Sequence, residues 1–392
     1  MRSKNGAVDT VPYWLDYPYE PRAPLDRDIE ADVCVIGGGV SGLSCARELA
    51  SRGANTVLLE ARTVASGASG RNGGFLLAGA APFHVDARER WGREPAARIY
   101  ARTVEVQQEV YGLAETLGAS DSVRPVGSLR LATSEEEAEH VRRHADALNE
   151  DGFDAELIER DELESPLRKI GHAGCLVPHD AALQPARWIR ALATDTERAG
   201  ATIFENTPAR LETPVSANGA TVNARTVVVA ADGPLPGLVP EAGEKVRARR
   251  LHMLATAPLP EPVLSTLVYA RYGFEYFQQL PDGRIALGGF SDLDGPASYT
   301  SEERGDPRIW ERLEQYLAGE LGIEGPTITH RWVGVVGFSD DSRPFAGEVR
   351  EGLYALGGYS GTGNLIGLIA GRAVGERIAT GHSEDLELLQ LR

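Results

Sequence analysis

Apolar and polar positions between residues 32 and 62 follow two different periods. Every residue of 33–36 is apolar, which is typical of a strand buried on both faces of a parallel sheet. From residue 40 to residue 50 the apolar residues recur at helical spacing, which predicts a helix with one buried face. A second apolar run at 56–59 predicts another strand. The pattern therefore indicates a strand–helix–strand unit.

The same two periods recur along the rest of the chain. Helical spacing predicts further helices at 97–117, 134–148, 185–199, 307–321 and 364–381. Short runs rich in β-branched and aromatic residues predict strands at 127–131, 174–177, 202–205, 221–223, 226–231, 328–333 and 353–356. Between 250 and 290, closely spaced runs predict antiparallel hairpins. We therefore expect an α/β fold that contains both parallel strands and a hairpin region.

Three glycines fill the turn between the first strand and the first helix. Gly37, Gly39 and Gly42 follow the G-x-G-x-x-G spacing, and Glu60 closes the second strand. The first glycine permits a tight turn, the second lets a pyrophosphate approach the backbone, and the third lets helix and strand pack closely. The helix N-terminus stabilises phosphate charge, and an acid about 20 residues further on can accept hydrogen bonds from a ribose. This context predicts a dinucleotide site; a glycine-rich turn of another α/β protein is the alternative.

Composition narrows the classes of function. At 392 residues the chain is long enough for about two domains. Its formal net charge of -17 argues against nucleic acid and anionic membranes as partners. The three cysteines form no C-x-x-C pair, so we expect neither a metal site nor a disulfide framework. His140 and His144 lie one helical turn apart, a spacing that could bind a metal. Because their helix is charged throughout and no third ligand is near, we expect both on a solvated helix face.

From its first residues we expect no targeting signal. Residues 1–10 lack the apolar core of a signal peptide, and no apolar run is long enough to span a bilayer, so we expect a cytoplasmic protein. Residues 1–30 are rich in aromatic residues and prolines without any periodicity. We expect an N-terminal arm that docks on the body through its rings; a segment that binds a partner is the alternative.

Two further glycine-rich segments adjoin predicted elements. The loop 66–74 consists mostly of small residues, so its backbone can lie against a flat ligand, and Arg71 and Asn72 add hydrogen-bond donors. An ordinary surface loop is the alternative. The segment 357–364 lies between the last strand and the last helix, and therefore repeats the strand, glycine turn and helix N-terminus of the first unit.

These motifs together resemble a known family. They are GASGRNGG at 67–74, AADG at 230–233, D-x-x-P at 341–344 and GGYSGTGN at 357–364. In this order they are similar to the flavin-dependent D-amino acid oxidase, glycine oxidase and sarcosine oxidase family. The segments 13–16 and 70–74 most resemble its gamma-glutamylputrescine oxidoreductase branch. The resemblance spans nearly the whole chain.

The resemblance implies non-covalent FAD, rather than NAD, as the cofactor. It also implies an α/β fold with a Rossmann-like FAD-binding domain of the glutathione-reductase type and an interleaved α+β substrate domain on a mixed or antiparallel sheet. The expected FAD-binding domain comprises 31–85, 171–235 and 326–392. The expected substrate domain comprises 86–170 and 236–325.

The same matching implies which residues contact FAD. They are Gly37, Gly39, Val40, Ser41, Gly42, Glu60, Ala61, Arg62, Ser69, Gly70, Arg71, Asn72, Gly73, Gly74, Pro208, Ala231, Gly361, Thr362, Gly363 and Asn364. Pro208 would meet the adenine, and Ala231 would lie near the adenosine. Residues 71–74 and 361–364 would lie on the two sides of the isoalloxazine.

The resemblance also implies the reaction. Hydride passes from the carbon that bears an amine to flavin N5, the imine hydrolyses in water, and oxygen or another acceptor reoxidises the flavin. A helix that begins at Asn364 would direct its positive end at the flavin and favour the reduced form.

The substrate is the least specified part of the prediction. In the amino acid oxidases of this family an arginine shortly before D-x-x-P holds the substrate carboxylate, and Val336 stands at that position. We therefore expect a small primary or secondary amine. Tyr269, Tyr276 and His252 are the candidates to line an amine pocket, although packing within the sheet would also explain such rings. Arg331 is the nearby arginine upstream of this position. It could hold a substrate carboxylate only if its strand had a different register.

Two other functions stay open. One is FAD-dependent oxidation of an α-amino or hydroxy acid, with Arg331 or Arg71 holding the carboxylate. The other is a nucleotide-binding protein without turnover, such as a subunit of a larger complex.

Overall fold

The strands of the computed structural model, which describes residues 11–390, form three sheets. In chain order they are β1 Ile29–Ile36, β2 Thr56–Leu59, β3 Phe75–Leu76, β4 Val123–Pro125, β5 Ser128–Ala132, β6 Glu156–Glu159, β7 Ala173–Val177, β8 Ala181–Leu183, β9 Thr202–Phe204, β10 Ala209–Arg210, β11 Val215–Ala217, β12 Ala220–Val229, β13 Val246–Thr256, β14 Leu267–Ala270, β15 Glu275–Gln279, β16 Ile285–Gly289, β17 Ile328–Ser339, β18 Phe345–Arg350 and β19 Leu353–Gly357.

The α-helices connect and cover these sheets. In chain order they are α1 Val40–Ser51, α2 His84–Trp91, α3 Arg93–Thr116, α4 Glu135–Glu150, α5 Ser165–Arg168, α6 Pro185–Arg198, α7 Leu235–Leu238, α8 Ser291–Asp294, α9 Pro307–Gln315, α10 Ile366–Thr380 and α11 Glu384–Gln390. The predicted longer helices are present as α1, α3, α4, α6, α9 and α10. A π-helical turn, Tyr316–Glu320, continues α9 to the end that the sequence predicted.

The first sheet contains the predicted strand–helix–strand unit. Its strands β9, β2, β1, β12 and β19 are parallel neighbours in that order, and β18 pairs antiparallel with β19. The other half of β12 pairs with β11, which pairs with β10. Helices α1 and α10 pack against each other on one face. The carboxyl ends of the parallel strands therefore meet at one edge, where ligands bind in sheets of this kind.

The second sheet has the order β17, β13, β16, β15, β14, β5, β7, β6. All its neighbours are antiparallel except β14 and β5, so the sheet is mixed. Helix α9 covers one face, where Trp310 and Leu313 pack with Leu254, Phe277 and Leu287. The opposite face is directed towards the first sheet. A third, short sheet joins β3, β8 and β4.

This architecture agrees with the expected parallel domain and mixed second sheet, whereas the domain limits stay a prediction. Strand β7 falls within the segment 171–235, assigned to the FAD-binding domain, and pairs with β5 and β6 of the second sheet. Strand β17 falls within 326–392 and pairs with β13 along its length. The second sheet thus draws strands from segments that the sequence assigned to the first domain.

The described part of the N-terminal arm lies on the body; residues 1–10 are outside the described residues. Trp14 is buried, and its Nε1 donates a hydrogen bond to the main-chain oxygen of Asn72 at 2.8 Å. The Tyr19 hydroxyl donates to Glu205 at 2.8 Å. Rings and hydrogen bonds therefore hold this segment in place.

Residues 11–390 contain neither a membrane-spanning helix nor a cluster of metal ligands. No helix there combines the length and the apolar character needed to cross a membrane. The same residues form no group of three or more His, Cys, Asp or Glu that could hold a metal ion. His140 pairs with Asp86, and the Nδ1 of His144 accepts a hydrogen bond from the main-chain N–H of His84. His144 is buried, so the expectation of a solvated face is wrong for this residue.

Candidate active site

The turn between β1 and α1 has a backbone geometry that requires glycine. Gly37 has a φ of +118°, and a Cβ atom there would lie 2.4 Å from the main-chain oxygen of Ala230. A Cβ atom on Gly42 would lie 2.0 Å from the main-chain oxygen of Gly37, so this glycine lets α1 pack onto the turn. Because α1 begins at Val40, its unpaired N–H groups lie at the carboxyl edge of the first sheet.

Glu60 is fixed beside this turn at the end of β2. Its Oε2 accepts a hydrogen bond from the N–H of Gly38 at 2.7 Å, and its Oε1 accepts one from the N–H of Arg62 at 2.9 Å. Burial raises the pKa of this carboxyl, and the two N–H groups oppose that shift. The carboxylate is thus held in one orientation, and its remaining lone pairs can accept hydroxyl groups of a ribose.

A cavity of about 390 Å³ runs from the glycine turn to the second sheet. Most of the expected cofactor residues line it, namely Gly37, Gly39, Val40, Ser41, Glu60, Ala61, Arg62, Ser69, Arg71, Asn72, Gly73, Pro208, Ala231, Gly361, Thr362, Gly363 and Asn364. The other three, Gly42, Gly70 and Gly74, do not line the cavity. They are packed against protein atoms, which a Cβ atom at any of these positions would contact. Sequence motifs from both ends of the chain therefore meet in one cavity.

The last glycine segment and the loop 66–74 are joined by their amides. Asn364 donates from Nδ2 to the main-chain oxygen of Phe75 at 2.7 Å, and the Asn72 and Asn364 side chains are 3.4 Å apart. Helix α10 begins at Ile366, two residues after the start predicted at Asn364. Its N-terminus still adjoins the cavity, because residues 359–365 line the wall.

Asp232 ties the strand ends together beneath this segment. Its carboxylate accepts hydrogen bonds from the N–H groups of Gly337 and Gly358, at 3.0 and 2.9 Å. Burial raises the pKa of Asp232 to about 6, against these hydrogen bonds. Asp232 therefore links the carboxyl end of β12 to β17 of the second sheet.

The residues present fit FAD. The glycine turn and the N-terminus of α1 offer N–H groups to a pyrophosphate, and Glu60 offers acceptors to a ribose. Pro208 and Ala231 line the end of the cavity expected to hold the adenine, where they present small apolar side chains. Gly73 and Gly361 leave main chain exposed at the other end, where a flat ring system can lie against it.

Four strands of the second sheet place Arg130, Tyr269, Tyr276 and Gly288 opposite one another in one row. Residues opposite each other on neighbouring strands project from the same face. The rings of Tyr269 and Tyr276 are stacked with centroids 6.1 Å apart. A Cβ atom on Gly288 would lie 2.3 Å from the Tyr276 ring, so glycine makes room for that ring. The row faces the cavity, which Arg130 and both tyrosines line.

His252 lies on the opposite face of the same sheet. Its neighbour Met253 stands opposite Gly288, so strand alternation turns His252 towards α9. Its Nε2 accepts a hydrogen bond from the N–H of Asp306 at 2.8 Å, and its ring meets Trp310 edge-on at 5.5 Å. Burial lowers the pKa of His252 to about 4. As a correction to the expected amine pocket, His252 packs in the core behind the sheet.

Arg331 is turned away from the cavity for the same reason. Trp332 beside it faces the cavity side, where its Nε1 donates to the main-chain oxygen of Arg71. Arg331 instead pairs with Glu314 of α9, with its Nε 3.0 Å from the carboxylate. As placed, Arg331 does not reach a substrate in the cavity.

Arg71 is occupied by protein groups. Its Nε donates to the main-chain oxygen of Ser66 at 2.7 Å, and its Nη1 donates to that of Val333 at 3.1 Å. Glu303 lies 3.3 Å from its Nη2 and also pairs with Arg62 at 2.7 Å. These contacts hold the loop 66–74 against the second sheet and close the cavity wall.

Arg130 is a residue of this cavity that the sequence did not single out. It is the one strongly polar residue of β5, but the register that brings it beside Tyr269 is set by strands distant in sequence. Its side chain is 8% exposed. Val336, expected where related enzymes carry an arginine, also lines the cavity.

The sequence is similar to those of two named oxidoreductases. The chain is 29% identical over 397 residues to a probable oxidoreductase OrdL of Rhizobium meliloti, covering 97% of this chain and 89% of the relative. It is 27% identical over 385 residues to the gamma-glutamylputrescine oxidoreductase of Escherichia coli, covering 91% of this chain and 86% of that protein.

Solved structures share the fold. The L-proline dehydrogenase of P. horikoshii superposes with a TM-score of 0.75 at 22% identity, covering 92% of this chain and 96% of that chain. Glycine oxidase of Geobacillus kaustophilus superposes with a TM-score of 0.73 at 24% identity, covering 89% and 95%. These likenesses confirm the expected fold, a Rossmann-like domain with an interleaved substrate domain.

A sequence model of the DAO family, described as FAD dependent oxidoreductase, matches residues 32–377. The match includes the glycine turn, the loop 66–74 and the last glycine segment, which together line the cavity. FAD is therefore the cofactor of this chain. The chain belongs to the DAO family of FAD-dependent oxidoreductases.

Proposed function

We propose that this enzyme oxidises a small primary or secondary amine. The observation that carries the proposal is the wall beside Gly73, where the stacked rings of Tyr269 and Tyr276 and the ring of Phe75 form an aromatic pocket. Val336 stands where the resembled amino acid oxidases hold an α-carboxylate. The relative named gamma-glutamylputrescine oxidoreductase also supports an amine substrate.

The cofactor-binding residues have separate parts in this proposal. Glu60 and the glycine turn hold the ribose and the pyrophosphate, and residues 71–74 and 361–364 hold the ring system between them. When bound, FAD supplies the acceptor for hydride from the carbon that bears the amine. With FAD bound, the N-terminus of α10 would direct its positive end at the ring system and would stabilise negative charge there.

The aromatic pocket selects the reactive form of the amine. The nitrogen lone pair assists departure of the hydride, so the ammonium form must lose its proton before oxidation. Removal of water from the pocket disfavours the ammonium form and therefore lowers the pKa of the amine. Burial raises the pKa of Tyr269 and of Tyr276, so each Oη keeps its proton and can donate to, or accept from, the amine nitrogen.

Oxidation of an α-amino acid is the second candidate. The two arginines that the sequence offered for its carboxylate are engaged by other groups, Arg71 by main-chain oxygens and Arg331 by Glu314. These contacts favour an amine without an α-carboxylate over an α-amino acid.

An anaerobic substrate panel tests the proposed function. The purified flavoprotein is mixed with alkylamines and diamines and, separately, with glycine, sarcosine, D-alanine and a hydroxy acid. We expect loss of visible flavin absorbance with the amines alone, because hydride transfer reduces the flavin. Reduction confined to α-amino or hydroxy acids, or by none of the compounds, would contradict the proposal. Reoxidation with air and with an artificial acceptor then distinguishes an oxidase from a dehydrogenase.

A further inference from the structure

Arg130 is a buried cation at the substrate end of the cavity. It lies on β5, directly opposite Tyr269 of β14, and only 8% of the residue is exposed. Its side chain lines the same cavity as the glycine turn and the two stacked tyrosines. An arginine stays protonated in proteins, so this position holds a permanent positive charge.

Within residues 11–390 no hydrogen bond or ion pair engages the Arg130 guanidinium. Asp180 is a buried acid that feels this charge: burial raises the pKa of Asp180, and Arg130 is one of the groups that oppose that shift. That carboxylate already accepts hydrogen bonds from Ser128 Oγ at 2.6 Å, the N–H of Ala78 at 2.8 Å and Gln107 Nε2 at 3.0 Å. Burial of a charge is costly unless hydrogen bonds compensate it. The guanidinium therefore has donors to spare at the cavity wall.

Two aromatic rings hold the guanidinium in position. Its central carbon lies 5.0 Å from the ring centre of Phe83 and 5.8 Å from that of Tyr269. Ring faces stabilise the cation without consuming its N–H donors, which lie in the guanidinium plane. The plane and its paired donors match the two oxygens of a carboxylate.

His144 offers a second hydrogen-bond donor near Arg130, as a neutral ring, because burial lowers the pKa of His144 well below its usual range. Its Nδ1 accepts a hydrogen bond from the N–H of His84, so the ring hydrogen is on Nε2, which has no partner in the described part of the chain. His144 and Arg130 both line a small adjoining cavity of about 10 Å³. Arg130 and His144 thus both bring donors without an acceptor in the described residues to this small cavity.

We propose that Arg130 binds a carboxylate group of the amine substrate. The proposal rests on the proposed function and narrows its substrate class to amines that carry a carboxylate away from the oxidised carbon. Arg130 is two strands from Tyr276, roughly 10 Å across the sheet, whereas Tyr276 directly adjoins Gly73. In the proposed function the oxidised carbon lies beside Gly73. A carboxylate on that same carbon would therefore be too far from Arg130 to contact it.

Matched substrates test the charge requirement. δ-Aminovalerate and its neutral primary amide have the same length and the same reacting amine. We expect the wild-type enzyme to oxidise the carboxylate with the higher kcat/KM. In Arg130→Gln the KM for δ-aminovalerate should rise roughly 10- to 100-fold, because a charge-assisted hydrogen bond is lost, and the preference over the amide should disappear. Arg130→Lys should restore part of the preference, since it keeps the charge without the paired donors.

Binding of unreactive acids gives a readout without turnover. Valerate and valeramide are titrated into the oxidised holoenzyme, and the change in flavin absorbance or the heat of binding gives the Kd. We expect valerate to bind more tightly than valeramide to the wild type and roughly 10- to 100-fold more weakly to Arg130→Gln. Arg142→Gln is the control, because Arg142 is on the outer face of α4 and pairs with Glu159 at 3.0 Å.

The outcomes separate this inference from the proposed function. If amines reduce the flavin but carboxylate and amide are used equally well, the inference about Arg130 is overturned and the proposed function stands. If no amine reduces the flavin while valerate still binds through Arg130, the carboxylate site stands and the proposed function fails. If Arg130→Gln does not fold, the wild-type preference for carboxylate over amide decides the question.

Discussion

Trp332 donates a hydrogen bond from its indole Nε1 to the main-chain oxygen of Arg71 at 2.9 Å. Trp14 of the N-terminal arm donates in the same way to the next carbonyl group, that of Asn72, at 2.8 Å. The two indoles meet edge-on with centroids 6.4 Å apart. Two segments far apart in sequence therefore fix consecutive peptide groups of the loop that lines the cavity beside Gly73.

Replacement of Trp332 by phenylalanine should loosen this loop. The main-chain oxygen of Arg71 would lose its buried donor, at a cost of about 1–3 kcal/mol in the free energy of unfolding. Because the loop lines the FAD cavity, we also expect weaker FAD binding. Chemical denaturation and the Kd of FAD for the apoprotein measure the two effects.

Trp188→Phe is the matched control. Trp188 is equally buried, but its Nε1 has no hydrogen-bond partner in the described part of the chain. Its replacement should cost packing energy and leave the Kd of FAD near the wild-type value. Equal FAD affinities for the two variants would show that the Trp332 hydrogen bond does not position the loop.

Replacement of Gly39 by valine should prevent FAD binding. Even a Cβ atom at this position would lie 2.9 Å from Ser69 Oγ, which accepts the hydrogen bond of the Val40 N–H at 3.0 Å. The added methyl groups would occupy the space through which a pyrophosphate approaches the turn. We expect a folded but colourless protein, measured as flavin absorbance per mole of protein.

Gly112→Val provides the comparison for that variant. Gly112 is on the exposed face of α3, and a Cβ atom there meets nothing within 4 Å. This variant should keep its full content of FAD. A yellow Gly39→Val protein with wild-type flavin content would mean that the pyrophosphate does not lie at this turn.

The glycine turn and its acid could be predicted from the sequence because these parts of the cofactor site are local. Gly37, Gly39 and Glu60 lie within one strand–helix–strand unit, and the spacing alone places them at the same sheet edge. The substrate half depends on which strands pair. Arg130 meets Tyr269 only because β5 and β14 are neighbours, and no periodic pattern states that pairing.

Strand register also explains why two of the predicted site residues, His252 and Arg331, lie away from the cavity. His252 and Met253 are adjacent on β13, so one must face α9 and the other the cavity side. Apolar neighbours on both faces, Leu251 and Leu254, hide which is which. The pairing of Met253 with Gly288 assigns the faces. Once that register is known, alternation alone turns His252 and Arg331 away from the cavity.

Replacement of Gly288 by alanine should displace the ring of Tyr276. The new methyl group would lie 2.3 Å from the ring and 2.6 Å from its hydroxyl oxygen, so the ring must move. Because the ring forms the wall beside Gly73, we expect kcat/KM for a reactive amine to fall by roughly 10- to 100-fold while FAD stays bound. Steady-state kinetics on variants of verified flavin content measure this effect.

Gly237→Ala is the control for the added methyl group. Gly237 is on α7, where a Cβ atom meets nothing within 4 Å, and its variant should keep the wild-type kcat/KM. Wild-type kinetics in Gly288→Ala as well would show that the position of the Tyr276 ring does not matter for the reaction.

His252 should make the stability of the enzyme sensitive to acid. Burial lowers its pKa to about 4 in the folded protein, against about 6.5 in an unfolded chain, so the unfolded state binds more protons between these values. The contribution of His252 to the free energy of unfolding is therefore complete above pH 6.5. As the pH falls towards 4, the free energy of unfolding decreases by about 3 kcal/mol in all. Protonation of Nε2 would also remove the acceptor for the N–H of Asp306.

A double comparison isolates the contribution of His252. In His252→Gln the free energy of unfolding should be lower than in the wild type at pH 7, and the difference should narrow by about 2–3 kcal/mol at pH 4.5. Carboxylates that titrate in the same range are common to both proteins and cancel in the difference. His179→Gln, at an exposed position paired with Asp154, should show no such narrowing. A constant difference between wild type and His252→Gln across this range would mean that His252 takes up its proton without unfolding the core behind the sheet.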